Sequence, residues 1–435
     1  MKTLITRPAR GLHGSLTVPG DKSISHRSLM IGAISHGMTT IQHFLPAADC
    51  LSTLTALQQV GVQITRQATT VQVQGRGLTG LIAPKKALQM GNAGTATRLL
   101  MGLLAGQAFD STLIGDASLS QRPMARVSEP LQTMGAELTL TDGHLPVTIH
   151  GRPLQGTHYD MTVASAQVKS ALILAALQAK TPSTIVEQLP TRDHTERLLN
   201  AFGAKITTAV DHRTITVQPQ PQLQGQTVTV PGDLSSAAFF ITAASIVPGS
   251  KITLKRVGLN PTRTGLLDVL ARMGGKIEIE RLQNPGEPLG NLTVTAAKLQ
   301  PIDLTAADIP AVIDELPLVA LLAATADGVS HISGAGELRV KETDRISTIC
   351  TELRKLGVAI TAQPDGFIID GRQPWRLQTT QMDSHGDHRI GMMVAIAALR
   401  LTTSLQLAQA TAINISYPTF FEDLRQLLPA TEVLA

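Results

Sequence analysis

The feature that most constrains the fold of this chain is an internal repeat, because two kinds of segment alternate six times along 435 residues. The first kind begins with small and charged residues and continues as an apolar helix, as in GDKSISHRSLMIGAI from Gly20. The second kind is an amphipathic helix that is followed by glycine and a β-branched run, as in LSTLTALQQVGVQITR from Leu51. Each repeat therefore predicts one α/β unit of about 70 residues.

A connector that occurs twice divides the six repeats into two groups of three. VPGD is followed by Lys22 and Ser23 in the first copy and by Leu234 and Ser235 in the second. If the short strand GSLTV, before the first copy, belongs with the second group, the chain crosses between two domains at both copies. The predicted domains are residues 21–230 and residues 1–20 plus 231–435, with crossovers near 18–22 and 229–234.

The composition narrows the classes of protein to which the chain can belong. Aromatic residues make up 3% of the chain, which argues against a surface that stacks single-stranded nucleic acid. A net charge of +4 suits small anionic molecules, so the positions of the cations matter more than their number. Two cysteines and the lack of a run that could span a membrane or form a signal peptide lead us to expect a cytoplasmic protein.

Cations are predicted at the starts of several apolar helices, where the helix dipole disfavours positive charge. KSISHR places Ser23 and Arg27 one turn apart, with Lys22 beside them. Equivalent cations are Arg122 before Pro123, Lys341, Arg345 and Arg389. Four such sites at matching repeat positions indicate a pocket for several anionic groups, whereas any one alone is equally explained by surface charge with acidic neighbours.

Neutral donors and small residues occupy two further helix starts. GNAGTATR offers Gly91 and Gly94 for close approach to a phosphate or carboxylate, although it matches no nucleotide-binding pattern. ASAQVKS offers Ser165 and Gln167 as donors, or is simply a helix start of small residues.

Acidic and histidine residues suggest further chemistry. Asp314, in AVIDELP, is expected to be either a general base whose pKa is raised by burial or a helix N-cap. SHGDHR, with His385, Asp387 and His388, allows a metal site, but no other ligand stands at a clear spacing, so we expect no metal.

Taken in order, the motifs PGDKSISHR, GNAGTATR, QRPM, SAQVKS, DELP, KETDRI and GDHR resemble the EPSP synthase family over essentially the whole chain. The resemblance implies an α/β (α+β) fold of two similar domains. Each domain holds three βαβαββ units, six in all, in an inside-out α/β barrel. It also implies transfer of the enolpyruvyl group of phosphoenolpyruvate to the 5-hydroxyl of 3-phosphoshikimate, with release of phosphate.

The resemblance also assigns substrate-binding residues. It implies that 3-phosphoshikimate is bound by Lys22, Ser23, Arg27, Ser165, Gln167, Arg192, Asp314 and Lys341. It implies that phosphoenolpyruvate is bound by Lys22, Asn92, Gly94, Arg122, Gln167, Arg345 and Arg389. We expect these small molecules to be the partners of a monomer that uses no metal, organic cofactor, nucleic acid or membrane.

The implied mechanism requires two proton transfers. By resemblance, Glu342 gives a proton to the methylene carbon of phosphoenolpyruvate. Asp314, with Lys22, takes the proton of the 5-hydroxyl. The addition gives a tetrahedral intermediate that expels phosphate.

The chain departs from the family pattern at three places. Ala166 stands where many members have a second serine, so one phosphate donor is lost, and Arg192 is its expected replacement. NISYP lacks the lysine that many members carry before the aromatic-proline pair, and Leu99 stands where many have proline.

Two other functions are alternatives. UDP-N-acetylglucosamine enolpyruvyl transferases usually carry a reactive cysteine where GDASLSQRP has Asp116. A non-catalytic anion-binding or RNA-binding protein could be built on the same repeat, but it would not need Asp314 and Glu342 among its cations.

Overall fold

The chain folds into two compact units, each with its own hydrophobic core. The computed structural model describes residues 1–4, 6, 8, 10–284 and 286–428. We call Gly20–Val230 the continuous unit, and Met1–Pro19 with Pro231–Ala435 the discontinuous unit.

Helices occupy both kinds of repeated segment. The α-helices are α1 (Lys22–Ala33), α2 (Ala48–Gln59), α3 (Gly94–Ala105), α4 (Ala117–Ser120), α5 (Ala125–Gln132), α6 (Ala166–Ala176), α7 (His194–Ala201), α8 (Leu234–Ile246), α9 (Gly265–Arg272), α10 (Ile309–Val312), α11 (Leu316–Ala323), α12 (Arg345–Lys355), α13 (His388–Ala398) and α14 (Phe420–Gln426). Two 3₁₀ helices cover Gly336–Val340 and Ala410–Ile415. None of the helices in the described ranges is long and apolar enough to cross a membrane.

The strands are short and group into six sheets. They are β1 (Lys2–Thr3), β2 (His13–Leu16), β3 (His36–Gln42), β4 (Gln63–Gln67), β5 (Thr70–Arg76), β6 (Leu88–Gln89), β7 (Asp110–Ile114), β8 (Glu137–Thr141), β9 (His144–His150), β10 (His158–Asp160), β11 (Ser183–Val186), β12 (Ile206–Thr208), β13 (Thr214–Val217), β14 (Thr227–Thr229), β15 (Lys251–Gly258), β16 (Lys276–Leu282), β17 (Leu289–Thr295), β18 (Asp303–Leu304), β19 (Val329–Ile332), β20 (Ala359–Gln363), β21 (Gly366–Asp370), β22 (Gln381–Asp383) and β23 (Gln406–Ala408).

Five of the sheets share one topology. In each, an edge strand pairs parallel with its neighbour, and that neighbour pairs antiparallel with one strand of a hairpin, as in β6-β7-β9-β8. The sixth sheet, β1-β23-β22, keeps the parallel pair and takes β1 as its antiparallel strand. The predicted α/β class with repeated βαβαββ units is therefore confirmed.

The strand before each copy of VPGD completes a sheet that begins far away in the sequence. In the continuous unit, β14 pairs parallel with β3. In the discontinuous unit, β2 pairs parallel with β15. Each connector therefore follows a strand that is hydrogen-bonded into the unit that the chain is leaving.

The apolar helices lie inside and the sheets lie outside. Nearly every residue of α3, α8 and α13 is buried, which is typical of a helix surrounded by protein on all sides. In the continuous unit, α3 packs against α1 and α6, and in the discontinuous unit α8, α11 and α13 contact one another. Because these helices come from different repeats, each core joins segments that lie far apart in the sequence.

The crossing of α3 and α6 depends on a glycine. A Cβ atom on Gly102 would lie 2.0 Å from the carbonyl oxygen of Ala171, which is backbone and cannot move without shifting α6. We expect Gly102→Ala to lower the stability of the continuous unit by about 1–3 kcal/mol or more, because overpacking forces the backbones apart.

Urea unfolding would measure this change. Gly336→Ala is the control, because a Cβ there would meet no atom closer than 3.9 Å and should leave the transition unchanged. An unaltered transition in Gly102→Ala would show that α3 and α6 are not in such close contact.

Candidate active site

In the continuous unit, the start of α1 carries charged residues on a capped helix. Asp21 caps the helix by accepting a hydrogen bond from the amide of Ile24 at 2.9 Å. Lys22 follows, and its Nζ lies 3.2 Å from Oδ2 of Asp49, in the first turn of α2. The amine of Lys22 is thus held at the helix start by a partly exposed ion pair.

Arg27 lies one turn further along α1 and connects three helices. Its Nε donates to Oγ1 of Thr195 at 2.7 Å, and Nη2 donates to Oγ of Ser170 at 2.8 Å. Nη1 donates to the carbonyl oxygen of Ser23 at 3.0 Å, so the two residues that the sequence placed one turn apart are in contact. The guanidinium is buried, and its position is fixed by α1, α6 and α7 together.

The glycine-rich turn before α3 packs against Arg122. Asn92 donates to both carboxylate oxygens of Asp116, at 3.1 and 2.9 Å, and its own side-chain oxygen accepts from Nη2 of Arg122 at 2.5 Å. A Cβ on Gly94 would lie 3.1 Å from Nη1 of Arg122, so glycine allows this close approach. The sequence predicts Arg122 at the start of a helix, but α5 begins only at Ala125. Arg122 therefore lies between two helices.

Both the oxygen and the nitrogen of the Gln167 side-chain amide form hydrogen bonds. Its Oε1 accepts from Nη1 of Arg98 at 2.6 Å, and its Nε2 donates to Oγ1 of Thr95 at 2.9 Å. Ser165 caps α6 by accepting from the amide of Val168 at 3.4 Å. Arg98 was not among the site residues predicted from the sequence. Its position, one turn after Gly94 in α3, was a signal that it lies near this helix start.

Arg192 lies in the segment between β11 and α7, next to a buried group of charges. Lys169 Nζ lies 2.9 Å from Glu187 and 2.8 Å from Glu196, and all three side chains are buried. Burial alone would lower the pKa of Lys169, but Glu196 and Glu187 raise it, so the amine is charged at neutral pH. Arg192 itself is half-buried.

In the discontinuous unit, Asp314 is surrounded by three cations. Its Oδ1 lies 4.0 Å from Nζ of Lys341 and 3.9 Å from Nη1 of Arg345, and its Oδ2 lies 3.9 Å from Nη2 of Arg389. Its backbone carbonyl also accepts from Nη1 of Arg389 at 2.8 Å. The N-cap alternative for Asp314 is wrong, because α11 has Glu315 at its N-cap position. The carboxylate of Asp314 thus faces cations from three segments, and its role as a general base stays a prediction.

Arg345 begins α12 and is the most strongly bound of these cations. Nε donates to Oδ2 of Asp387 at 2.7 Å, and Nη2 donates to Oδ1 of Asp387 at 3.2 Å and to Oε2 of Glu342 at 2.6 Å. Burial would lower the pKa of Arg345, but the carboxylates of Asp387, Glu342 and Asp314 raise it above its usual value. Lys341 follows the 3₁₀ helix Gly336–Val340 instead of starting α12.

The second copy of VPGD also leads into a polar network. Oγ of Ser235 donates to Oε1 of Glu315 and accepts from Nη2 of Arg263 at 2.6 Å. Oε1 of Glu315 in turn lies 3.6 Å from Nη1 of Arg389. Sequence reasoning assigned no binding role to this helix start. The signal that it missed is Ser235, which occupies the same repeat position as Ser23.

Comparison with known proteins assigns the chain to a family. A family model for EPSP synthase (3-phosphoshikimate 1-carboxyvinyltransferase) matches residues 6–424. The 3-phosphoshikimate 1-carboxyvinyltransferase of Lactiplantibacillus plantarum is 67% identical over 98% of this chain and 99% of its own length. That of Limosilactobacillus fermentum is 57% identical, over the same shares of the two chains. The chain belongs to the EPSP synthase family.

Solved structures agree with this family membership. An EPSP synthase from Acinetobacter baumannii is 41% identical, superposes with a TM-score of 0.85, and is covered over 98% of both chains. The enolpyruvyl transferase NikO from Streptomyces tendae has a TM-score of 0.78 over 98% of this chain and 97% of its own. At 17% identity, NikO shows the shared fold alone. The predicted EPSP synthase resemblance and enzyme class are thus confirmed, and the two alternative functions are not favoured.

The two histidines of SHGDHR lie next to different acidic residues. Nε2 of His385 lies 2.8 Å from Glu352, whereas Nδ1 of His388 lies 3.9 Å from Asp387. No three His, Cys, Asp or Glu side chains in the described ranges are arranged to hold a metal ion.

The buried pair of Arg345 and Asp387 predicts a pH-dependent contribution to stability. Burial raises the pKa of Asp387, but the charge of Arg345 outweighs it, and the pKa in the folded protein lies below its ordinary value. The stabilisation is therefore complete above the ordinary Asp pKa of about 3.9 and is lost as the pH falls through the lower pKa of the folded state.

We expect Asp387→Asn to lower the free energy of unfolding at pH 7 by about 3–5 kcal/mol, because one buried partner is left behind. The difference from the parent should shrink as the pH falls below about 4, since protonation then weakens the pair in the parent also. Urea unfolding across pH measures both effects. Asp370→Asn, which removes an exposed pair with Arg372, is the control and should change stability little. An equal loss at all pH values would exclude Asp387 ionisation as the cause.

Proposed function

We propose that this protein transfers the enolpyruvyl group of phosphoenolpyruvate to the 5-hydroxyl of 3-phosphoshikimate and releases phosphate. The single observation that carries the proposal is Asp314, a carboxylate that lies within 4.0 Å of three cations in a member of this family. Two phosphates and two carboxylates bring a charge of about −5 to −6. The candidate cations Lys22, Arg27, Arg122, Lys341, Arg345 and Arg389 match that charge.

Binding of 3-phosphoshikimate is assigned to hydroxyl, amide and cationic groups. Arg27 and Arg192 suit the phosphate, because a guanidinium grips phosphate oxygens through paired donors. The full proposed set is Lys22, Ser23, Arg27, Ser165, Gln167, Arg192, Asp314 and Lys341. Support comes from the buried bonds of Arg27 to Ser170 and Thr195, which fix one of these guanidinium groups in advance.

Binding of phosphoenolpyruvate is assigned to a second set of donors. Its members are Lys22, Asn92, Gly94, Arg122, Gln167, Arg345 and Arg389. The contact between Asn92 and Arg122, and the space that Gly94 leaves beside that guanidinium, support an anion-binding role for this turn. Leu99 stands within buried α3, so its side chain belongs to the core.

The proton transfers are assigned to Asp314, Glu342 and Lys22. Asp314, whose carboxylate faces three cations, takes the proton of the 5-hydroxyl, with the amine of Lys22 assisting. Glu342 donates to the methylene carbon. Phosphoenolpyruvate competes with Glu342 for Arg345, and loss of that hydrogen bond favours proton uptake by Glu342 before the donation.

The reaction then proceeds in two stages. Addition protonates the methylene carbon and joins the neighbouring carbon to the 5-oxygen of the acceptor. Elimination returns a proton from the new methyl group to the carboxylate of Glu342 and breaks the carbon–oxygen bond to phosphate. The cations stabilise the negative charge that develops on the phosphate oxygens. That the enzyme acts as a cytoplasmic monomer, without metal, organic cofactor, nucleic acid or membrane, stays a prediction.

A phosphate-release assay tests the proposed function. Phosphoenolpyruvate would be supplied with 3-phosphoshikimate and, separately, with UDP-N-acetylglucosamine as the acceptor. We expect release only with 3-phosphoshikimate. Release only with the nucleotide sugar, or with neither acceptor, would overturn the proposal.

Asp314→Ala should reduce kcat by about 10²–10⁴-fold, because the general base is removed. Binding of 3-phosphoshikimate, measured by calorimetry, should change by less than about tenfold, because the remaining assigned donors are intact. Asp308→Asn is the control in the same unit, since it neutralises a partly exposed acid that pairs with Arg272. Unchanged turnover in Asp314→Ala would remove Asp314 from the mechanism.

A further inference from the structure

We propose that Lys169 and Glu187 form a buried clamp that fixes Thr191 and thereby positions the adjacent Arg192 for the phosphate of 3-phosphoshikimate. The inference rests on the proposed function, which gives Arg192 that ligand. It adds two positioning residues that contact neither substrate.

The clamp consists of charges that are buried together. Nζ of Lys169 lies 2.9 Å from Oε2 of Glu187 and 2.8 Å from Oε1 of Glu196. The side chain of Lys169 is 1% exposed, and those of Glu187 and Glu196 are 2% and 6% exposed. Burying charged groups is costly and contributes little net stability even when they pair, so their arrangement calls for a role beyond stability.

Thr191 is held by this clamp through its backbone and its side chain. Its amide donates to Oε1 of Glu187 at 3.1 Å, and its hydroxyl donates to the same oxygen. Its carbonyl oxygen accepts from Nζ of Lys169 at 3.2 Å. The amide and the carbonyl on the two sides of this residue are both fixed, and the carbonyl belongs to the peptide bond that leads into Arg192.

The other end of the same segment is fixed by a second set of contacts. Oγ1 of Thr195 lies 2.6 Å from Oγ of Ser170 and accepts from Nε of Arg27 at 2.7 Å. Arg192 therefore stands between two anchored residues, Thr191 and Thr195. One anchor is bonded directly to Arg27, which the proposed function assigns to the same substrate.

An anchored backbone matters for an arginine that binds phosphate. Paired donors are effective only when the guanidinium approaches in the correct plane, and small misplacements are costly. Ala166, which follows Ser165 at the start of α6, supplies no hydroxyl that could share this role. The clamp thus supports the arginine to which the proposed function assigns the phosphate.

Two variants weaken the clamp in different ways. Glu187→Gln removes its charge, and Thr191→Val removes only the hydroxyl while keeping both charges. Each should weaken 3-phosphoshikimate binding, measured by calorimetry without phosphoenolpyruvate, by about tenfold, a typical coupling within one hydrogen-bond network. The KM for phosphoenolpyruvate should stay within about twofold of the parent.

The matched control is Glu287→Gln, which changes another buried glutamate, hydrogen-bonded to Asn260 in the discontinuous unit. It should leave 3-phosphoshikimate binding unchanged. If Glu187→Gln fails to fold, as judged by circular dichroism, Thr191→Val alone decides the outcome.

A double-mutant cycle with Arg192→Ala tests whether the clamp acts through Arg192. In that background, Glu187→Gln and Thr191→Val should cause no further loss of binding. An equal loss in both backgrounds, no effect of Arg192→Ala on binding, or no effect of the clamp variants would overturn the inference.

The double-mutant cycle is measured by 3-phosphoshikimate binding and does not require turnover. A protein that binds 3-phosphoshikimate but releases no phosphate would therefore contradict the proposed function and leave the clamp to be judged by the cycle.

Discussion

The placement of buried charges by partners from other repeats is the constraint on which the candidate site depends. Arg345 is an instance, because a guanidinium that is 1% exposed is costly to bury unless its charge and its donors find partners. Asp387, Glu342 and Asp314 supply that environment from two other segments of the discontinuous unit and from the turn before α12. The helix starts of the discontinuous unit therefore depend on one another. Because a carboxylate on one segment holds a cation on another, replacing that carboxylate alters the position of the cation.

The continuous unit also contains buried arginines, and more of their partners are uncharged. Arg27 donates to two hydroxyls and a carbonyl, and Arg98 donates to the amide of Gln167. Its buried ion cluster, around Lys169, lies behind the segment that carries Arg192. The two units thus share one topology but hold their cations with different kinds of partner.

The repeat explains why so much could be predicted from the sequence. Helix and strand patterns act locally, so the order of elements, the βαβαββ unit and the importance of the helix starts followed from periodicity and glycine positions. Short-range expectations about helix boundaries were less reliable. Arg122 and Lys341 precede the helices that the motifs suggested, and Asp314 is not an N-cap, because tertiary contacts decide where a helix begins.

The sequence by itself determined the sixfold repeat, the family resemblance and the identity of the candidate cations and carboxylates. Only the tertiary structure decided which of these groups are partners, since hydrogen bonds such as that between Arg27 and Thr195 join residues far apart in the chain. The doubled VPGD shows the difference. Its two copies are written alike, yet Ser23 contacts Arg27 whereas Ser235 joins Glu315 and Arg263, because their surroundings come from other repeats.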